Sequence, residues 1–189
     1  KDNLPEIFKK TQVFGHSNTF MARWLSDNFA MDPSSASSLF KIVSSIVQDA
    51  GTHRHGCTIV IDLNESPVFI SGHSLEEPLY LEESDFLDLA KSLSKVDGAL
   101  HIRSDLKLHG FACLLDGRAI QGENRARGAR FNSALRFTAE HKDLIVVVVS
   151  SDRPVSVLQG GVELSAQCEW ESFSTLSSTP PTLKEWLSK

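Results

Sequence analysis

Cysteine is scarce and odd in number: Cys57, Cys113 and Cys168 lie far apart and form no CxxC pair. That pattern excludes a disulfide framework and a thiolate metal centre, and it fits a reducing compartment, so a cytoplasmic location is expected. Long hydrophobic runs are missing too. The longest, Leu144 to Val149, is strand-sized, far short of the eighteen or so residues that cross a bilayer, and no membrane segment is expected in this chain. The opening Lys1-Asp2-Asn3-Leu4-Pro5 holds no signal-peptide apolar stretch, and the chain is expected to begin inside a larger protein. Positive charge is in deficit: 19 Lys and Arg against 24 Asp and Glu give a net charge of −5. With a pI near 5.8, nothing draws it generally to phosphate backbones, and direct nucleic-acid binding is not expected. There is no Gly-Lys-Ser or Gly-Lys-Thr of a Walker A loop and no Gly-x-Ser-x-Gly of a hydrolase elbow.

What is present is ordinary: 189 residues, 41% apolar and 23% charged. Such a chain is long enough for one globular core and too apolar for disorder. Phe20, Trp24, Leu25 and Phe29 give a weak helical spacing. A clearer helix follows, capped by Asp32, opened by Pro33, striped by Leu39, Ile42, Val43, Ile46, Val47 and Ala50, and closed by Gly51. Cys57 to Leu63 and Val68 to Ser71 predict a hairpin around Asn64-Glu65-Ser66-Pro67. Ser84 is expected to cap a helix that buries Phe86, Leu89, Ala90 and Leu93, with Lys95 closing it. Strands are expected at Ala99 to Ile102 and Leu106 to Leu115, then a loop from Asp116 to Ala129 and a helix from about Arg130. Leu144 to Val149 lacks alternation, as a strand covered on both faces does. Val155 to Leu158 and Val162 to Leu164 flank Gln159-Gly160-Gly161 as a closing hairpin, and Leu183, Trp186 and Leu187 suggest a terminal helix. This order predicts an α/β domain, a central mixed β-sheet flanked by helices on both faces.

Two stretches carry candidate chemistry. In Asp97-Gly98-Ala99 a carboxylate precedes two of the smallest side chains, so a ligand can approach backbone while the acid faces it. Such an acid can hold a divalent metal or take a hydroxyl proton; a solvated Asp-Gly turn is the plain alternative. From Gly122 to Ser133, glycines lead into a helix start beside Arg125, Arg127 and Arg130. Free backbone N–H groups and guanidinium forks together suit phosphate, and an exposed basic loop is the alternative. Glu140, at a helix end, could join Asp97 at a metal, or simply be solvated. His53-Arg54-His55 has no acid or cysteine at ligand spacing and fits a turn better than a metal site.

Taken together, these pieces resemble the diadenylate cyclase domain of the bacterial DNA-integrity scanning protein and its relatives. The family's Asp-Gly-Ala stands here as Asp97-Gly98-Ala99. Its Gly-Thr-Arg-His-Arg-Ala-Ala-Leu stands, about thirty residues on, as Gly128-Ala129-Arg130-Phe131-Asn132-Ser133-Ala134-Leu135. Gly56 to Ile61, Gly110 to Leu115, and Leu144 to Ser151 with Val155 to Val157 resemble the family's strands, in order. The likeness spans about Gly51 to Leu164. The expected organisation is therefore a helical segment over 1–50, the nucleotide-binding domain over 51–164 and an extension over 165–189.

The departure is chemical. Of the family's Arg-His-Arg only Arg130 remains, Phe131 and Asn132 replacing the others, and Ala129 replaces the threonine.

The resemblance implies condensation of two ATP into cyclic di-AMP with release of pyrophosphate, by subunits of a homo-oligomer facing one another. It implies Asp97, Gly98 and Ala99 as the catalytic group and Mg²⁺ or Mn²⁺ as cofactor, held by Asp97 and Glu140. Leu114 backbone would contact adenine. Gly128, Ala129, Arg130, Asn132 and Ser133 would hold phosphate, with Arg125 and Arg127 as substitute cations. A degenerate member that binds and reports a nucleotide is the alternative function, and a domain that has kept only the fold is a third.

Overall fold

The computed structural model describes residues 31–164, apart from Gly122 and Asp152. The helical spacing before Met31, Cys168 and the suggested terminal helix lie outside the described residues.

Asp32 opens the first helix, α1 (Pro33–His53), its carboxylate accepting from the Ser34 and Ser35 amides at 3.0 and 2.9 Å. These bonds satisfy N–H groups that a helix start leaves free. Gly51 does not end the helix. It lies inside, and Arg54, left-handed at φ 54°, closes it by donating to Ala50 and Gly51 carbonyls. The limit expected at residue 50 thus falls within α1, whose stripe from Leu39 to Ala50 shares the core of the sheet.

β1 (Cys57–Asp62) is buried throughout. It pairs in parallel with β3 (Ala99–Arg103) and antiparallel with β5 (Leu144–Val149). With both edges of β1 taken by distant strands, the hairpin expected next to it does not form. The segment after Asn64 is a loop, held where the Asp62 carboxylate accepts from the Asn64 and Val68 amides at 3.0 Å each. β2 begins only at His73 and runs to Tyr80 at the sheet edge, antiparallel to β4 (Lys107–Cys113). Between them α2 (Ser84–Leu93) crosses back, buries Ala90 and packs Leu87 and Leu93 on the core. Leu89, expected inside, is 43% exposed. Glu83 rather than Ser84 holds the N-cap position, without a side-chain bond.

α3 (Ala129–Glu140) precedes β5, and β6 (Ser156–Gln159) with β7 (Val162–Glu163) closes the sheet. The strand order is β2-β4-β3-β1-β5-β6-β7. Alternate side chains of the central strands face two layers. Ile59, Leu100, Ile102 and Val147 pack against α1 and α2. Val60, Ala99, Val146 and Leu158 pack against Phe131, Ala134 and Phe137 of α3. The architecture is the expected one: a mixed sheet with helices on both faces. Among the described residues no helix is long and apolar enough to cross a membrane.

Candidate nucleotide-binding cleft

One end of this sheet is open. The start of β1, the end of β5, the Asp97 turn before β3, the end of β4 and the entrance of α3 surround a cleft of about 540 Å³. That is a ligand-sized volume. Asp97 and Arg130 stand on the same rim, Arg130 Nη2 donating to Asp97 Oδ1 at 3.2 Å. The guanidinium lies over Gly56, where a Cβ would stand 2.9 Å from Arg130 Nη1. The acid and the cationic helix entrance, about thirty positions apart in sequence, therefore meet.

Gly98 lets two backbones come together. At φ +108° a Cβ here would overlap Ala112, 2.5 Å from the carbonyl carbon, so β4 backbone comes this close only because Gly98 has none. Ala112 is itself left-handed at φ 50°, and the β3–β4 register shifts here. This bulge swings the chain after Cys113 into the cleft, where Leu114 lies 59% exposed with its amide bonded to the Ser71 carbonyl at 2.7 Å. Sequence reasoning misses Ala112; Gly98 next to a strand is the available signal for a bulge.

Gly128 precedes α3 at φ 89° and ψ 167°, a conformation open chiefly to glycine, and no heavy atom would crowd a Cβ there. Ala129, Arg130, Phe131 and Ser133 line the cleft at this entrance, and the first amides of a helix lack internal partners. Asn132 does not take part. It is buried, donating to the Asn124 carbonyl at 3.1 Å and so bracing the short 3-10 turn Arg125–Arg127. Arg125 is exposed and is not among the lining residues.

Arg127 does line the cleft, but its guanidinium is held. It donates to Glu163 Oε1 at 2.8 Å and Ser156 Oγ at 3.1 Å, and lies 3.9 Å from the Phe131 ring centroid.

Glu140 is the clearest correction. It sits at the far end of α3, roughly 16 Å from the entrance at 1.5 Å per residue, where its carboxylate accepts from the Arg118 amide at 2.8 Å. It cannot share one metal with Asp97 within a protomer. Among the described residues no three His, Cys, Asp or Glu gather as a metal cage. The carboxylates that line the cleft are Asp97 and Asp116, a donor set of the kind that Mg²⁺ takes when it arrives on phosphates and gains one or two carboxylates. Cys113 lines the cleft, yet burial pushes its thiol up to about 11, and burial pushes Cys57 up to about 12. Neither is a nucleophile at neutral pH.

A family model described as DAC, the DisA bacterial checkpoint controller nucleotide-binding domain, matches residues 45–163. The chain belongs to this DAC family. The DAC match covers the whole cleft, from the β1 start to β7. No curated protein matches the chain. Among solved structures, the chain is similar to a hypothetical membrane spanning protein from Bacillus cereus. The identity is 19% and the TM-score 0.57, over 77% of this chain and 70% of that one. It is also similar to a double mutant of DacA from Staphylococcus aureus. There the identity is 21% and the TM-score 0.49, over 66% of this chain and 83% of that one. At such identities the first likeness shows the fold alone.

Proposed function

We propose that this DAC domain binds an adenine nucleotide in the cleft between Asp97 and α3 and serves as a nucleotide-sensing module. One observation carries the reading: Asp97 and Arg130 meet on the rim of a ligand-sized cleft, in contact through Nη2 and Oδ1. Phosphate would sit at the Gly128 entrance, where amides and Arg130 can donate to it. The exposed Leu114, its amide held by Ser71, would offer its carbonyl and side chain to the base. Sensing is favoured over turnover because Phe131 and Asn132 bring no charge to the entrance, and Arg127 is bonded to Glu163 and Ser156. Each lost donor to a transferring phosphoryl group removes roughly a hundredfold in rate.

A second reading, condensation of two ATP into cyclic di-AMP, is favoured by Asp97 itself, whose side chain is 99% exposed at the rim. An acid so placed can serve a nucleotide on a facing subunit of a homo-oligomer. Each ribose 3′-oxygen would form a bond to the other nucleotide's α-phosphorus. The α–β bridging bond would break, pyrophosphate would leave, and the hydroxyl proton would pass to Asp97 or water. A Mg²⁺ or Mn²⁺ ion brought by the nucleotide would neutralise developing charge, with Asp97 as its protein ligand. Positioning would do most of the rest.

Calorimetry with adenine nucleotides, beside incubation with ATP and Mn²⁺, separates the two. Binding without cyclic dinucleotide above an Asp97→Asn control supports sensing. Product above that control establishes condensation, and no binding at all removes both.

A further inference from the structure

The cleft's own charges limit how much phosphate it can hold. Three arginines line it, Arg127, Arg130 and Arg153, together with Asp97 and Asp116. Glu163 grips Arg127 from behind, with its side chain 14% exposed. Three cations against three carboxylates leave no net positive charge. Nor is any of the arginines waiting: Arg130 lies on Asp97, Arg127 on Glu163, Ser156 and the Phe131 ring, and Arg153 is engaged too. What remains is one cluster of donors at the helix entrance, with Arg130 able to swing from an exposed and therefore weak pair. That arrangement matches one phosphate group.

Resting on the nucleotide reading above, we propose that the cleft selects an adenosine phosphate that presents a single phosphate group at the α3 entrance, as a monoester or a diester, in preference to a triphosphate. A diester carries one negative charge per phosphate and a terminal monoester about one and a half to two. A triphosphate carries more, and its β- and γ-groups would meet Asp97 and Asp116 in the cleft, with Arg127 held back by Glu163 and Arg153 already interacting elsewhere. Glu163 is the selector. By fixing Arg127 against β6 and β7, it removes the cation that would otherwise reach a second phosphate.

The test is calorimetry of the full chain with AMP, a cyclic adenine dinucleotide and ATP, each with and without excess Mg²⁺. The wild type is expected to bind AMP or the dinucleotide at least about tenfold tighter than ATP, and the stronger of those two names the monoester or the diester. In Glu163→Ala, Arg127 loses its carboxylate acceptor, and ATP should gain about tenfold, more than either single-phosphate ligand gains. Should that variant not fold, Ser156→Ala loosens the same guanidinium, and the wild-type ranking stands by itself. ATP binding tightest by tenfold overturns the selectivity while leaving the nucleotide reading intact. An equal gain for all ligands, or none for ATP, overturns the role of Glu163. No binding of any ligand to folded protein sinks the nucleotide reading itself.

Discussion

Two Asp–Arg pairs sit at opposite ends of the same sheet. At the end of β1, Asp62 is fully buried. Its carboxylate accepts from the Asn64 and Val68 amides and the Asn64 side chain, lies 3.3 Å from His101 Nε2, and has Arg103 Nε at 3.4 Å. Arg103 stands beside it without hydrogen-bond geometry at Nε, while its Nη2 donates to the Asn64 and Glu65 carbonyls. At the other end, Asp97 is 99% exposed and touches a half-exposed Arg130. Residue type alone does not separate them; saturation does. A buried carboxylate whose lone pairs are all engaged holds a loop, whereas an exposed acid beside a cleft has capacity left for a ligand.

The largest break in this comparison is expected from Asp62→Ala. It strands His101 and Arg103 in the interior and frees the loop after Asn64. Removing one partner of a buried pair costs about 3–5 kcal/mol, read as a lower denaturant midpoint, and an unchanged midpoint would refute the structural role. Gly98→Ala comes next. It forces φ +108° on alanine and drives a Cβ to 2.5 Å from the Ala112 backbone. The conformation alone costs about 1–3 kcal/mol, and the overlap with β4 adds to it. Nucleotide binding should fall with stability, because the same bulge sets Leu114.

Acid sharpens the contrast. Burial raises the Asp62 pKa, but hydrogen bonds from His101, Val68 and Asn64 outweigh it and hold the carboxyl well below its ordinary range. A folded value beneath the unfolded one, near 3.9, means a contribution fully present above that value. It is lost as pH falls from about 4 toward the folded pKa. Unfolding measured across pH 2 to 6 should show the wild type losing more stability below about pH 4 than Asp62→Asn does. Parallel curves would show that Asp62 is not the group responsible.

Much of the architecture is legible because local signals agree with tertiary ones. Asp32 and Pro33 can hardly do other than start a helix, and Leu144 to Val149 needs cover on both faces wherever it lies. The Asp97–Arg130 meeting is legible for another reason, the spacing of two stretches within one family pattern. The misses at Gly51, Ser84 and Leu89 are local, of a few residues or one helix face; the larger failures are cases where the partner is distant. Val68 to Ser71 has strand-like composition, yet β1 has no edge left for it. Nothing near Asp62 in sequence announces His101 and Arg103, which reach it only through the parallel register of β1 and β3. Glu140 reads as a ligand because a linear count ignores that a helix carries its two ends to opposite poles. Arg127 reads as available because Glu163, which holds it, lies on the last strand.

The smallest expected effect is the most discriminating. Asp97→Ala removes an exposed carboxylate that, among the described residues, is bonded to an exposed arginine, and such pairs contribute almost nothing to folding. Its melting temperature should match that of the wild type. The same substitution should raise the affinity for a single-phosphate nucleotide without Mg²⁺, since Arg130 no longer divides itself between Asp97 and phosphate, and it should abolish any strengthening that Mg²⁺ brings. A stability loss comparable to that of Asp62→Ala would mean that the two ends of the sheet use their acids alike. Unaltered affinity with and without the cation would place the ligand away from this rim.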